Sequence, residues 1–156
     1  ILALPADVEG LHERALYDER FVLAVPDGHR LAGRKQARVE DLDGETLLLL
    51  EDGHCLRDQA LAVCSHSGAH EKQDFRATSL ETLRQMVASG AGVTLLPELA
   101  SKGAYGGARG VAVIPFAKPA PVRRIGMVWR RSSARSAALN AVCDVIAQLL
   151  QRHDKE

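Results

Sequence analysis

Short apolar runs alternate along the chain with stretches in which apolar positions recur every three or four residues, and that alternation predicts an α/β fold with a largely parallel or mixed sheet. Phe21–Val25 reads as a buried strand, stopped by the turn chemistry of Pro26-Asp27-Gly28-His29. Thr46–Leu50 is the next strand, and after Glu51-Asp52-Gly53-His54 a helix is predicted to begin near Cys55, in a segment running to Cys64 that is rich in the helix formers Leu, Ala, Arg and Gln. Phe75–Thr78 reads as a short strand. Ser79 then caps a helix with Leu80, Leu83 and Val87 on one face, ended by Gly90 and Gly92. Val93–Pro97, Val111–Phe116 and Ile125–Trp129 are further strands. In the terminal helix Leu139, Val142, Cys143, Ile146, Leu149 and Leu150 form an apolar stripe expected to pack inward. No internal repeat is visible.

Composition narrows the class. The chain has 156 residues, 46% of them apolar, which is enough to bury a real core. Twenty Lys and Arg balance twenty Asp and Glu, so the segment lacks the basic footprint of a free-standing nucleic-acid binder and is not expected to hold DNA by itself. Apolar runs such as Leu47–Leu50 fall far short of the roughly 20 residues needed to span a bilayer, and no membrane partner is expected. Ile1–Leu4 has neither the Met nor the charged region that opens a signal peptide, and reads as a strand entered part-way. Three cysteines without an export signal point to a reducing compartment, the cytoplasm.

The chemistry centres on two of those cysteines. Cys55 stands where a helix begins, and the partial positive charge there favours a thiolate; Arg57 adds to this, Asp58 opposes it unless it pairs, and His54 is placed to donate to the sulfur. Local chemistry alone fits an ordinary buried cysteine as readily as a reactive one. Cys64, nine residues on, shifts the balance toward a sensor and resolver pair. Nine helical residues rise about 13.5 Å and end half a turn away, whereas a disulfide needs Cα atoms within about 7 Å, so bridging requires the helix to unravel. Cys143 lies on the apolar stripe and reads as a core cysteine. Cys64, His66 and His70 match no common zinc spacing, and Gly103–Gly107 does not open a helix after a strand as a phosphate loop would, so neither a metal nor a cofactor is expected. Nucleophile-elbow, zinc-protease and Walker signatures are missing, which leaves an enzyme reading without a starting point. Arg123 and Arg124, just before a strand, read on their own as surface charge.

The string Leu50-Glu51-Asp52-Gly53-His54-Cys55-Leu56-Arg57-Asp58-Gln59-Ala60 with Cys64 beyond it, Phe75–Arg84, and Gly92–Pro97 together resemble the regulatory domains of LysR-type transcription regulators, in particular their hydrogen-peroxide-sensing branch. The resemblance covers essentially the whole chain. It implies a periplasmic-binding-protein-like type II fold, two Rossmann-like subdomains joined by crossover strands: residues 21–124 as subdomain II, carrying the redox cysteines, and 1–20 with 125–156 as the remainder of an incomplete subdomain I. A winged helix-turn-helix, a linker helix and the rest of subdomain I would precede Ile1, along with hydroxyl residues that help hold peroxide. Position by position, Cys55 takes the place of the peroxide-reactive thiol and Cys64 of the resolving thiol, with His54, Arg57 and Asp58 around the sulfur and Arg123 as a further pocket arginine. Val122 separates Pro121 from the arginine pair where relatives often run straight into basic residues, which gives Arg124 a rival claim; Asp74 stands where some relatives have a histidine. The implied function is a DNA-binding activator switched by hydrogen peroxide through a Cys55–Cys64 disulfide. Its implied partners are DNA through the upstream module, RNA polymerase, a thiol reductant such as glutaredoxin or thioredoxin, and further copies in a homodimer or homotetramer. Two rival readings are a LysR-type domain that binds a small metabolite and a thiol peroxidase that turns over.

Overall fold

The computed structural model describes residues 1–6, 8–65, 67–102 and 109–153, with the backbone alone for 72–75 and 151–153. His66, the stretch Gly103–Gly107 and the side chain of Asp74 lie outside the described residues. The chain divides into two units, Ile1–Glu19 with Val122–Glu156, and Arg20–Pro121.

The central unit takes its frame from strand β2, Leu11–Pro26, whose second half is a fully apolar run. Phe21–Ala24 pairs antiparallel with β5, Thr94–Pro97, and Val22–Pro26 pairs antiparallel on the other edge with β6, Val111–Pro115. Strand β3, Thr46–Leu50, runs parallel to β4, His70–Ala77, and a parallel bridge from Leu47 to Val93 leads on toward β5. The arrangement is mixed, as the alternating pattern predicts. Helix α1, Cys55–Cys64, connects β3 to β4, and helix α2, Leu80–Ala88, connects β4 to β5. Ser79 caps α2, its Oγ accepting from the Thr82 backbone N–H at 3.1 Å. Phe21, Leu23, Leu31, Leu42, Leu47, Leu48, Leu83, Val87, Leu95, Leu96 and Ile114 fill one core. Gly92 allows the chain to pass close to β3, because a Cβ there would stand 2.5 Å from the Thr46 carbonyl oxygen.

The other unit pairs β1, Leu2–Leu4, antiparallel with β7, Val122–Arg130, which neighbours the first half of β2. Helix α3, Ser136–His153, closes it. Leu139, Cys143 and Ile146 meet Met127, Trp129 and Leu16 in a small second core. The inward stripe expected on α3 is narrower than its sequence suggests: Val142 and Leu149 are exposed, because the apolar surface offered by Leu16, Met127 and Trp129 receives one row of side chains. Strand β2 begins ten residues before the apolar run that predicts it. Its first half is rich in charge and is held by pairing and ion pairs, Arg123 with Glu19, Arg124 with Asp18, and Arg14 with Asp144. Among the described residues no helix is long and apolar enough to cross a membrane.

Candidate functional site

Helix α1 forms where its sequence predicts, and its pattern explains which cysteine is covered. Leu56, Ala60 and Cys64 recur every four residues and are buried with Arg57, so the opposite face, which includes Cys55, is left to solvent. Gly53, at φ +90°, turns the chain between β3 and the helix, a conformation that L side chains rarely adopt. His54 is the N-cap residue in extended conformation, and its side chain makes no capping hydrogen bond. Cys55 is thus the first helical residue, solvent-exposed, at the end of the helix where the backbone dipoles favour an anion. His54 and Asp58 are exposed beside it.

Cys64 is the last helical residue and its environment is the reverse. It is 6% exposed, and burial pushes its thiol up to about 11. The Ser67 backbone N–H and Oγ both donate to the Cys64 carbonyl, at 2.9 and 2.8 Å, closing the last turn. The two cysteines are free, and the intact ten-residue helix keeps them about 13.5 Å apart along its axis.

Arg57 does not carry an unbalanced charge toward the helix start. Its guanidinium donates to both oxygens of Glu71 at 2.7 and 3.0 Å and lies 2.9 Å, through Nε, from Asp52. The Glu71 hydrogen bonds hold Arg57 protonated above its ordinary value, and the same bonds hold the Glu71 carboxyl below the usual carboxylate range. Arg76 pairs in turn with both Asp52 and Glu71. Asp52, Glu71 and Arg76 are residues that the sequence does not single out, since nothing in the spacing of positions 57 and 71 signals a bidentate pair; Asp52 alone lies inside the string around Cys55.

Arg123 lies in the other unit, where its Nε and Nη2 donate to one oxygen of the buried Glu19 at 2.9 and 2.7 Å. Arg124 is exposed and pairs with the exposed Asp18. The two arginines, equivalent by sequence, are thus separated by burial. Cys143 is fully buried, its Sγ 3.6 Å from Met127 Sδ, a core cysteine as the apolar stripe predicts.

The model of the LysR substrate binding domain matches residues 1–151. The chain is 46% identical over 153 residues to the DNA-binding transcriptional dual regulator OxyR of Escherichia coli K12, which covers 98% of this chain and 50% of that protein. It therefore spans about half the length of the curated relatives it matches. Among solved structures it is similar to the oxidized form of OxyR, with a TM-score of 0.83 and 45% identity over 97% of this chain and 71% of that one. It is also similar to the hydrogen-peroxide-bound C206S mutant of Corynebacterium glutamicum OxyR, with a TM-score of 0.86 and 35% identity over 97% of this chain and 48% of that one. The fold, the periplasmic-binding-protein-like type II architecture, and the identity over nearly the whole chain agree, and the chain belongs to the LysR substrate-binding-domain family, in its OxyR branch.

Proposed function

We propose that this chain is the redox-sensing part of a LysR-type transcription regulator that responds to hydrogen peroxide. The observation that carries the reading is the contrast along one short helix, an exposed thiol at its anion-favouring start and a buried, protonated thiol at its end. The Cys55 thiolate attacks one peroxide oxygen and the O–O bond breaks, leaving a sulfenic acid and hydroxide, which takes up a proton to become water. The Cys64 sulfur then attacks the sulfenic sulfur, giving the disulfide and a second water. Cys64 cannot join while it is buried nine residues further along an intact helix, so the second step waits for the helix to open.

His54 and Asp58 flank the reactive sulfur in this reading, and Arg57, two residues on in the same helix, is held by Glu71 and Asp52. The central unit corresponds to regulatory subdomain II and the other to the remainder of subdomain I. In the whole protein, DNA contact belongs to an upstream winged helix-turn-helix, the active form engages RNA polymerase, and a homodimer or homotetramer is the working state. A thiol reductant such as glutaredoxin or thioredoxin resets the switch in the cytoplasm. The protein is a sensor and not an enzyme, since opening a helix at each cycle suits a switch better than rapid turnover.

Replacing Cys55 by Ser in the full-length protein is expected to abolish both peroxide-driven disulfide formation and transcriptional response, because a serine hydroxyl is not ionised at neutral pH. Cys143→Ser is expected to leave both intact. Loss of sensing in the Cys143 variant equal to that in the Cys55 variant contradicts the assignment.

A further inference from the structure

Asp52, Arg57, Glu71 and Arg76 close a four-membered ring of alternating charge around the first turns of α1: Asp52 to Arg57, Arg57 to Glu71, Glu71 to Arg76 at 3.4 Å, and Arg76 back to Asp52. Only Arg57 belongs to the helix. Asp52 precedes it, while Glu71 and Arg76 stand on β4 at either end of the register shift between Leu47 and Leu49 of β3, which brings them to one place. The Arg57 side chain is 8% exposed and Glu71 18%, so their bidentate pair is largely out of water, whereas Arg76 is 31% exposed and Asp52 71%.

We infer that Arg57 is a positioning residue for the thiol pair and that this ring sets how readily Cys55 and Cys64 oxidise, an inference that rests on the reading of those two cysteines as the redox couple. Arg57 is two residues from Cys55 in the segment that must leave the helix before the sulfurs meet. Moving its backbone by several ångströms withdraws the guanidinium from Glu71, Asp52 and, at 3.5 Å, the Leu50 carbonyl. These contacts therefore exist in the reduced state and are lost in the oxidised one, so their strength enters the equilibrium between the two. Stripping Arg57 away does not strand its partners, because Arg76 already touches both carboxylates. Arg57 favours the reduced form and Arg76 stabilises what remains after release.

The two arginines thus act in opposite directions, which a merely structural role does not produce. The test is the equilibrium constant for the Cys55–Cys64 disulfide in glutathione redox buffers, read by differential alkylation and mass spectrometry on the full 156-residue chain. Glu71→Gln is expected to raise the constant about tenfold, a shift of about 30 mV to more negative potential. Arg76→Gln is expected to lower it by about threefold, the scale of a partly exposed ion pair. If Glu71→Gln fails to fold, Arg57→Lys, which keeps the charge and loses the fork, carries the same expectation of a raised constant. Constants equal to wild type in Glu71→Gln (or in Arg57→Lys, where it replaces it) and in Arg76→Gln, or shifts of the same sign, overturn the inference while leaving the redox pair standing. Failure of the wild-type chain to form the Cys55–Cys64 bridge at any buffer ratio overturns the reading beneath it.

Discussion

Helices α1 and α3 both carry cysteines, yet they are held by different forces. In α3, Cys143 packs with Leu139 and Ile146 against Met127, Trp129 and Leu16, so its sulfur is covered by apolar contact, while Arg14 pairs with Asn140 and Asp144 on the helix's outer side. In α1, ten residues long, an arginine occupies part of the buried face and four of its contacts reach carboxylates or a carbonyl outside the helix. Opening α1 forfeits the ion pairs of Arg57 as well as the packing of Leu56, Ala60 and Cys64. The difference teaches why the same residue type is inert in one helix and suited to switching in the other.

The sharpest way to break that comparison is to compare thiol reactivities in the native chain. Cys55 is expected to react with an alkylating agent at least about a hundredfold faster than Cys143, since a local opening that costs about 3 kcal/mol slows a buried thiol by that factor. Comparable rates, measured by time-resolved alkylation and mass spectrometry, would remove the distinction between the helices.

A second test uses pH. Burial favours the neutral thiol of Cys64 in the folded helix, so this contribution to α1 is complete below the ordinary thiol value of 9.0 and is lost as pH rises from there toward about 11. In a Cys55→Ser chain the Cys64 thiolate absorbance is expected to titrate near 11, and amide protection across α1 to fall over the same window while α3 is unchanged. Titration of Cys64 at the ordinary value would mean that the helix end is open to water.

The smallest expected effect concerns a third helix. Helix α2 has a hydroxyl cap in Ser79, whereas α1 begins at His54 with no side-chain cap. Ser79→Ala is expected to destabilise the central unit by about 1 kcal/mol in a denaturant titration, without altering peroxide sensitivity.

Much of this contrast is legible in the sequence. The limits of β3, the start of α1, the cap of α2 and the burial of Cys143 follow from apolar spacing, helix-forming composition and the Ser79 cap, which are local. The first half of β2 is not legible, because His12, Glu13, Arg14, Asp18 and Glu19 mask the strand pattern, and Arg14, Asp18 and Glu19 are held by partners more than a hundred residues away in sequence. For the same reason the sequence suggests a charge on Arg57 that acts on Cys55, while the fold assigns that charge to Glu71 across the irregular β3–β4 register. Arg123 and Arg124 show the limit most simply: adjacent and chemically identical, they differ because one faces the buried Glu19 and the other the exposed Asp18.

In the proposed mechanism peroxide drives a Cys55–Cys64 disulfide at the expense of helix α1. Hydrogen exchange on reduced and peroxide-treated chains, with mass spectrometry locating the bridge, tests it most directly. The expected result is strong protection across α1 in the reduced state, its loss when the Cys55–Cys64 bridge forms, and unchanged protection in α3. A Cys55–Cys64 bridge that forms while protection of α1 stays as it was would contradict this, because an intact helix holds the two residues about 13.5 Å apart along its axis.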